Sequence, residues 1–369
     1  MKNTISNITT LGMLMALTAI AALGLASPVR AGGASFYPTV TNVSQLIADI
    51  NYVNTAGGTF TINLQPNTIF VLLTVTSSDG FGANLLPIIG DTKAVNLTII
   101  GNGNTIRRDA TNVNAHEVRL FEVAKGSSLT LHQMTLQNGY SYAYNGGAIY
   151  NFGTLVISNC ILSGNTAHYS GYISSLLGGK GGAIYNNTGT VNISDSFLSG
   201  NFATGNYAYG GAIYNDSGTV MISHSTISGN SAGGGVSEDA SLAEGGGIYN
   251  NGTVTVENYS SITGNGAADF GPDVYNLGSL YVDGTSTIGV IDGYSAIGWS
   301  PVLSINAWSS TAHQLVLSWS TNYTGYTLQS STDLGSTNWT NCASPTALGP
   351  YYVVTNSMSA GAQFFRLKR

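Results

Sequence analysis

The sequence predicts an all-β protein: a right-handed parallel β-helix with an N-terminal capping helix and a small C-terminal β-sandwich-like domain. Three observations carry that prediction. The hexapeptide Gly-Gly-Ala-Ile-Tyr-Asn occurs at 146–151, 181–186 and 210–215, returns as Gly-Gly-Gly-Ile-Tyr-Asn at 245–250, and decays to Gly-Pro-Asp-Val-Tyr-Asn at 271–276. Each of the first four copies is followed 17 or 18 residues later by Ser/Thr-Gly-Asn, beginning at Ser163, Ser199, Ser228 and Thr263. Between these motifs runs a short alternation of apolar and polar residues, the period-two pattern of a half-buried strand.

The alternating runs begin at Thr154, Thr190, Thr219, Thr253 and Ser279, and a third apolar position closes each unit at Leu162, Leu198, Ile227, Ile262 and Ile288. That makes three short strands per unit and leaves no room for a helix. Strands this short bury a core only by stacking on equivalent strands of the next unit. Gly and Asn, 48 and 35 of the 369 residues, tolerate the positive φ that sharp corners need. Stacked Asn151, Asn186, Asn215, Asn250 and Asn276 are expected to hydrogen-bond from coil to coil. The segments between Gly-Asn and the next hexapeptide, 166–180, 202–209, 231–244 and 266–270, vary in length and read as loops leaving one edge, where repeat proteins often carry binding surfaces.

Upstream, Asn42 to Asn51 reads as a short amphipathic helix that covers the first coil and blocks edge-to-edge growth. Thr59–Leu64 and Ile69–Leu72 follow as strands, and degenerate coils continue through Val95–Ile106, Leu120–Val123 and Leu129–Leu136. The expected layout is a signal peptide at 1–31, the β-helix at 32–298 (cap and lead-in coils to 125, regular repeats from 126), and a C-terminal module at 299–369. In that module all four tryptophans gather, and Leu315–Trp319, Gly325–Gln329, Tyr351–Val354 and Phe364–Leu367 alternate like sandwich strands. Lys2 before the apolar stretch Leu11–Ala26, with Val29-Arg30-Ala31 as a cleavage site, predicts secretion, with maturation at Gly32 and no membrane span afterwards. Cys160 and Cys342 are expected to remain separate thiols.

The hexapeptide with its downstream Ser-Gly-Asn resembles the repeat of polymorphic outer-membrane proteins and related bacterial right-handed β-helix proteins, over residues 126 to 290. Leu97–Arg108 and Arg119–Val123 are similar to the lead-in coils of such proteins. The tail, with Gly325–Leu334, Asn338-Trp339-Thr340 and Phe364–Leu367, resembles a C-terminal module found on secreted bacterial proteins. The resemblance implies surface exposure or adhesion, and attachment or sorting for the tail. Relatives in the outer membrane end in a large β-barrel, whereas about 70 residues follow the solenoid here, so an autotransporter mechanism is not expected.

Composition narrows the function further. Only 8% of residues are charged and the formal net charge is −6, which argues against nucleic acid, whose affinity rests on Lys and Arg. Pectate lyases and polygalacturonases share this fold, but lyase chemistry wants a base and cations for the uronate, and hydrolysis wants paired carboxylates. Gly181 to Gln363 contains no Lys or Arg. Carboxylates scatter: Glu257 and Asp283 share a register and read as a solvated edge, while Glu238, Asp239 and Glu244 lack the spacing of a calcium loop. Arg107, Arg108, Asp109, His116, Glu117 and Arg119 form the densest charge, read as a salt-bridged corner. The five histidines have no metal-ligand spacing, so neither a metal nor a cofactor is expected. The remaining candidate is the column Tyr150, Tyr185, Tyr214, Tyr249 and Tyr275. Asp273, at the third hexapeptide position, would be costly to bury unpaired, so positions three and five are expected to face solvent, where the stacked rings either stabilise the strand or offer a platform to an extracellular glycan or surface protein. Thus the sequence points to a non-catalytic adhesion or glycan-contact scaffold, with a polysaccharide lyase or hydrolase as the alternative.

Overall fold

The computed structural model describes residues 37–111, 118–142, 145–169, 178–234, 242–298, 303–309, 314–320, 327–333, 338–348, 351–357 and 363–368. The signal-peptide segment, His116 and Glu117, and Glu238 and Asp239 lie outside the described residues. From Gly58 to Gly298 the chain is a parallel β-helix. Hexapeptides lie side by side in register: Ile184 pairs with Ile149 and Ile213, Tyr185 with Tyr150 and Tyr214, and Asn186 with Asn151 and Asn215.

One coil shows the rest. Ile184–Asn186 forms a strand, a turn follows, Thr190–Ser194 runs along the broad sheet, the chain bends at Asp195, and Phe197–Ser199 completes that sheet. After Gly200 and Asn201 comes a fourth strand, Phe202–Gly205. Its counterparts are Thr166–Tyr169, Ser231–Gly234 and Gly266–Ala267, all paired in parallel. This corrects the three-strand unit, because the variable segments begin as strands. Their inward residues are the alanines Ala167, Ala203 and Ala232, too small to make an apolar alternation stand out.

The interior is one continuous cluster from Val40 to Leu280, to which each hexapeptide gives its Ile or Val, the broad-sheet strand before each bend two aliphatic residues, and the strand after it one. Burying a large aliphatic side chain contributes about 1.5–3 kcal/mol. The paired glycines of the hexapeptide have separate reasons. The first takes φ of 70°, 69°, 68° and 69° at Gly146, Gly181, Gly210 and Gly245, a region other residues enter at a cost. Beside the second, a Cβ on Gly147 or Gly182 would collide with the backbone carbonyl of the next coil.

Three polar ladders thread the stack. In the first, Asn151 donates to Asn186 (2.8 Å), Asn186 to Asn215 (2.9 Å), Asn215 to Asn250 (2.8 Å), Asn250 to Asn276 (2.8 Å), and Asn276 to the Tyr294 carbonyl (2.8 Å). The asparagines of the Ser/Thr-Gly-Asn motif form the second: Asn165, Asn201, Asn230 and Asn265 donate in turn, the last to the Asp273 carboxylate (3.0 Å). In the third, the backbone N–H of Cys160 donates to Ser196 Oγ, that of Ser196 to Ser225, that of Ser225 to Ser260, and that of Ser260 to Ser286.

Helix α1 (Val43–Ala56) is capped by Asn42, whose side chain accepts from the Gln45 N–H, and it ends at Gly57. Leu46, Ile50 and Val53 bury against the first coil, as the sequence predicts, though the helix runs five residues further. In the C-terminal region, antiparallel sheets of four and three strands supply one separate core of Leu315, Leu317, Trp319, Leu328 and Val354. Both cysteines are free thiols. Among the described residues no helix is long and apolar enough to cross a membrane.

Candidate functional site

The tyrosines do stack. Ring centroids from Tyr150 through Tyr185, Tyr214 and Tyr249 to Tyr275 are 4.8, 5.1, 4.8 and 5.4 Å apart. They lie apart from the interior cluster, but the expectation that they face solvent is corrected. Tyr150, Tyr185, Tyr214 and Tyr249 are only 3%, 6%, 5% and 8% exposed, and Tyr275 is half-buried.

Two things close the column. Tyr209 packs against Tyr249 at 4.9 Å, and Lys180 lies over the rings of Tyr209 and Tyr214. Phenol oxygens are also tied to the residue that follows a hexapeptide one coil on: Tyr150 accepts from Asn187 (3.1 Å), Tyr185 pairs with Asp216, and Tyr214 pairs with Asn251. Burial pushes the phenols of Tyr185, Tyr214 and Tyr249 well above the ordinary range, with nearby carboxylates adding to it. The third hexapeptide position is buried too, at Ala148, Ala183, Ala212 and Asp273. Asp273 is not unpaired, since it accepts from the Asn265 backbone and amide and from the Val290 N–H. As the terminal acceptor of a ladder, its carboxylate has donors that offset the cost of its burial.

The candidate carboxylates are mostly structural. Glu257 and Asp283 follow the Val256–Val282 pair in register. Asp283 braces the next turn, accepting from the N–H groups of Asn258 and Ser286 and the Thr285 hydroxyl, each at 2.8 Å. Burial alone would raise it, but these bonds together hold it below the usual range. Glu244 is buried and bonded to Tyr275.

The densest charge divides. Arg108 donates to the Asn138 carbonyl and lies over the Tyr140 ring, while Asp109 turns outward and bonds Thr111. Arg119, only 1% exposed, pairs with Glu122 at 3.4 Å, donates to the Phe81 carbonyl, and covers the Tyr150 ring at 4.8 Å. Glu122 is a residue that the sequence reading passed over. It occupies the tyrosine position of the preceding coil, because Phe121-Glu122-Val123 pairs in register with Ile149-Tyr150-Asn151. An acid at the foot of an aromatic column was the available signal.

Glu122 forms the floor of a cleft of about 650 Å³ beneath a tight hairpin, Ser77–Asp79 paired with Gly82–Asn84. Phe81 and Phe152 meet edge to face at 4.7 Å on its wall. Asp79, Asp91 and Lys125 stand at the rim, with Ser77 and Ser78 beside them. Burial pushes the Glu122 carboxyl up to about 7, opposed by Arg119 and by the amide of fully buried Asn84 (3.0 Å), and reinforced by neighbouring Asp79. A carboxyl raised by burial, aromatic walls and clustered acceptors are the ingredients of a small-ligand site. Among the described residues no group of three or more His, Cys, Asp or Glu could hold a metal ion.

In comparisons with known proteins, no family model, no curated protein and no solved structure matches this chain.

Proposed function

We propose that this protein is a secreted or cell-surface scaffold that contacts extracellular glycans without transforming them. The hairpin cleft carries the reading. Its aromatic pair Phe81 and Phe152 offers apolar contact to a sugar ring, and Asp79, Asp91, Glu122 and the serines offer acceptors for hydroxyl groups. With three carboxyl groups against the single Lys125, the lining disfavours uronates and favours neutral or amine-bearing sugars. Tyr150, Tyr185, Tyr214, Tyr249 and Tyr275 serve this site by holding the coils in register beneath it. Supporting the location are the apolar segment Leu11–Ala26 behind Lys2 and the resemblance of the repeat to those of polymorphic outer-membrane proteins.

The test is calorimetric titration of the full chain with neutral, amino and uronic mono- and disaccharides, alongside Phe152→Ala. Binding of a neutral or amino sugar that weakens at least tenfold in the variant supports the reading. Retention of no sugar, or an unchanged Phe152→Ala, overturns it.

One observation favours a second reading, a glycoside hydrolase. Glu122 carries a raised carboxyl beside Asp79, and general acids are tuned this way. Release of reducing ends above buffer, lost in Glu122→Gln, would favour the enzyme.

A further inference from the structure

A second concave feature lies on a different face, where the broad sheet bends. The bend residues Asn102, Gln133, Asn159, Asp195, His224 and Asn258 all take φ between 47° and 55°, the left-handed region that Asn and Asp tolerate best. Where Val95–Arg108 pairs with Ser128–Gln137 the register breaks between Ile100–His132 and Asn104–Met134, so Gly101, Asn102 and Gly103 stand opposite the single residue Gln133. Gly101 presses against Met134 where no Cβ would fit, and the extra residues rise as a ridge. Further along the stack, Ile161 and its register partner Phe197 stand out, 43% and 55% exposed. Between ridge and step lies a trough of about 560 Å³, lined by the amides of Asn102, Gln133 and Asn159, the Thr135 hydroxyl and buried Met134.

We infer that this trough binds an uncharged polysaccharide chain laid along the coil axis, with Phe197 as the ring platform. This extends the glycan-contact reading to a second, chain-binding site. No ionisable group lines the trough. Asp195 flanks Phe197 on the next coil, and no Lys or Arg follows between Gly181 and Gln363, so nothing in that direction neutralises a uronate or sulfate. Side-chain amides supply both donors and acceptors, which suits hydroxyl groups that are both. Successive coils repeat at about 4.8 Å, near the rise of one sugar residue in an extended chain, so each coil can meet one sugar.

The experiment titrates the full chain with a hexasaccharide of β-linked glucose and with a galacturonate hexasaccharide. Variants are Phe197→Ala, Gln133→Gly and, as a control at an exposed residue of the C-terminal region, Leu348→Ala. Expected are binding of the neutral chain, a loss of about tenfold or more in Phe197→Ala and Gln133→Gly, no change in Leu348→Ala, and at least tenfold weaker binding of galacturonate. Unchanged melting curves for the trough variants separate the effect from folding. If the neutral chain fails to bind, or the two trough variants leave its binding unchanged, the trough proposal falls, while the cleft is judged separately by its short sugars. Equal affinity for galacturonate overturns the uncharged occupant.

Discussion

Glu122 stands in parallel register with Tyr150, so the aromatic column is continued at its foot by a carboxylate rather than by another ring. The same Arg119 guanidinium pairs with Glu122 and covers the face of Tyr150. One cation therefore closes the column and anchors the hairpin over the cleft through the Phe81 carbonyl.

That arrangement makes stability depend on pH. The Glu122 carboxyl is raised by burial from 4.5 to about 7, and Asp49, which accepts from the Tyr37 N–H, is raised by burial from 3.8 to about 6. In both, the folded chain holds its proton more tightly than the unfolded one. Their contribution is complete below the unfolded values and is lost as pH rises through 6 and 7. Urea unfolding should show stability falling between pH 4.5 and 7 by about 4 kcal/mol at most, and Glu122→Gln should flatten the upper part of that slope. A variant with the same slope would show that Glu122 is not the titrating group.

Asn215 sits mid-ladder, donating to Asn250 and to the Gly218 carbonyl and accepting from Asn186. Asn215→Ala leaves buried partners unmet on both sides, at about 1–3 kcal/mol. Denaturant midpoints read the loss, and a change below about 0.5 kcal/mol would mean that the ladder is dispensable.

Tyr185→Phe removes the bond to Asp216 while keeping the ring stack, so it should cost about 1 kcal/mol. Tyr185→Ala opens the column and should cost about 3–5 kcal/mol. In an alkaline absorbance titration, Tyr185, Tyr214 and Tyr249 should ionise only as the chain unfolds, well past the free-tyrosine value of about 10. Smooth ionisation of every tyrosine near that value would contradict the burial.

Cys160 holds the first place in the serine ladder, its thiol within hydrogen-bond reach of both the Ser158 and Leu131 carbonyls and pushed up by burial to about 11. Cys160→Ser should fold with stability within about 1 kcal/mol of the parent, and the native thiol should resist alkylation that unfolding permits. Rapid modification of Cys160 in the folded protein would overturn this.

The stack and its register were legible because the hexapeptide repeats both its chemistry and its spacing. The asparagine ladder could be read because amides recurred at one position of a strand. The fourth strand was hidden, since Ala167, Ala203 and Ala232 bury too little to mark an alternation. Tyrosine exposure was misjudged for a tertiary reason: Tyr209 and Lys180 arrive from the variable segments and cover the rings. The cleft needed the hairpin to fold back over Glu122, and Asp79 is 43 residues from it in sequence. Local pattern does not encode that approach.

The asparagine ladders also run one way. Every amide hands its hydrogen to the following coil, and the two series finish on acceptors that have no amide to pass on, the Tyr294 carbonyl and the Asp273 carboxylate. Interior turns are therefore interchangeable, and a duplicated one would splice in with its donors and acceptors already aligned. Length can drift in such a lineage, whereas the final turn must be inherited intact.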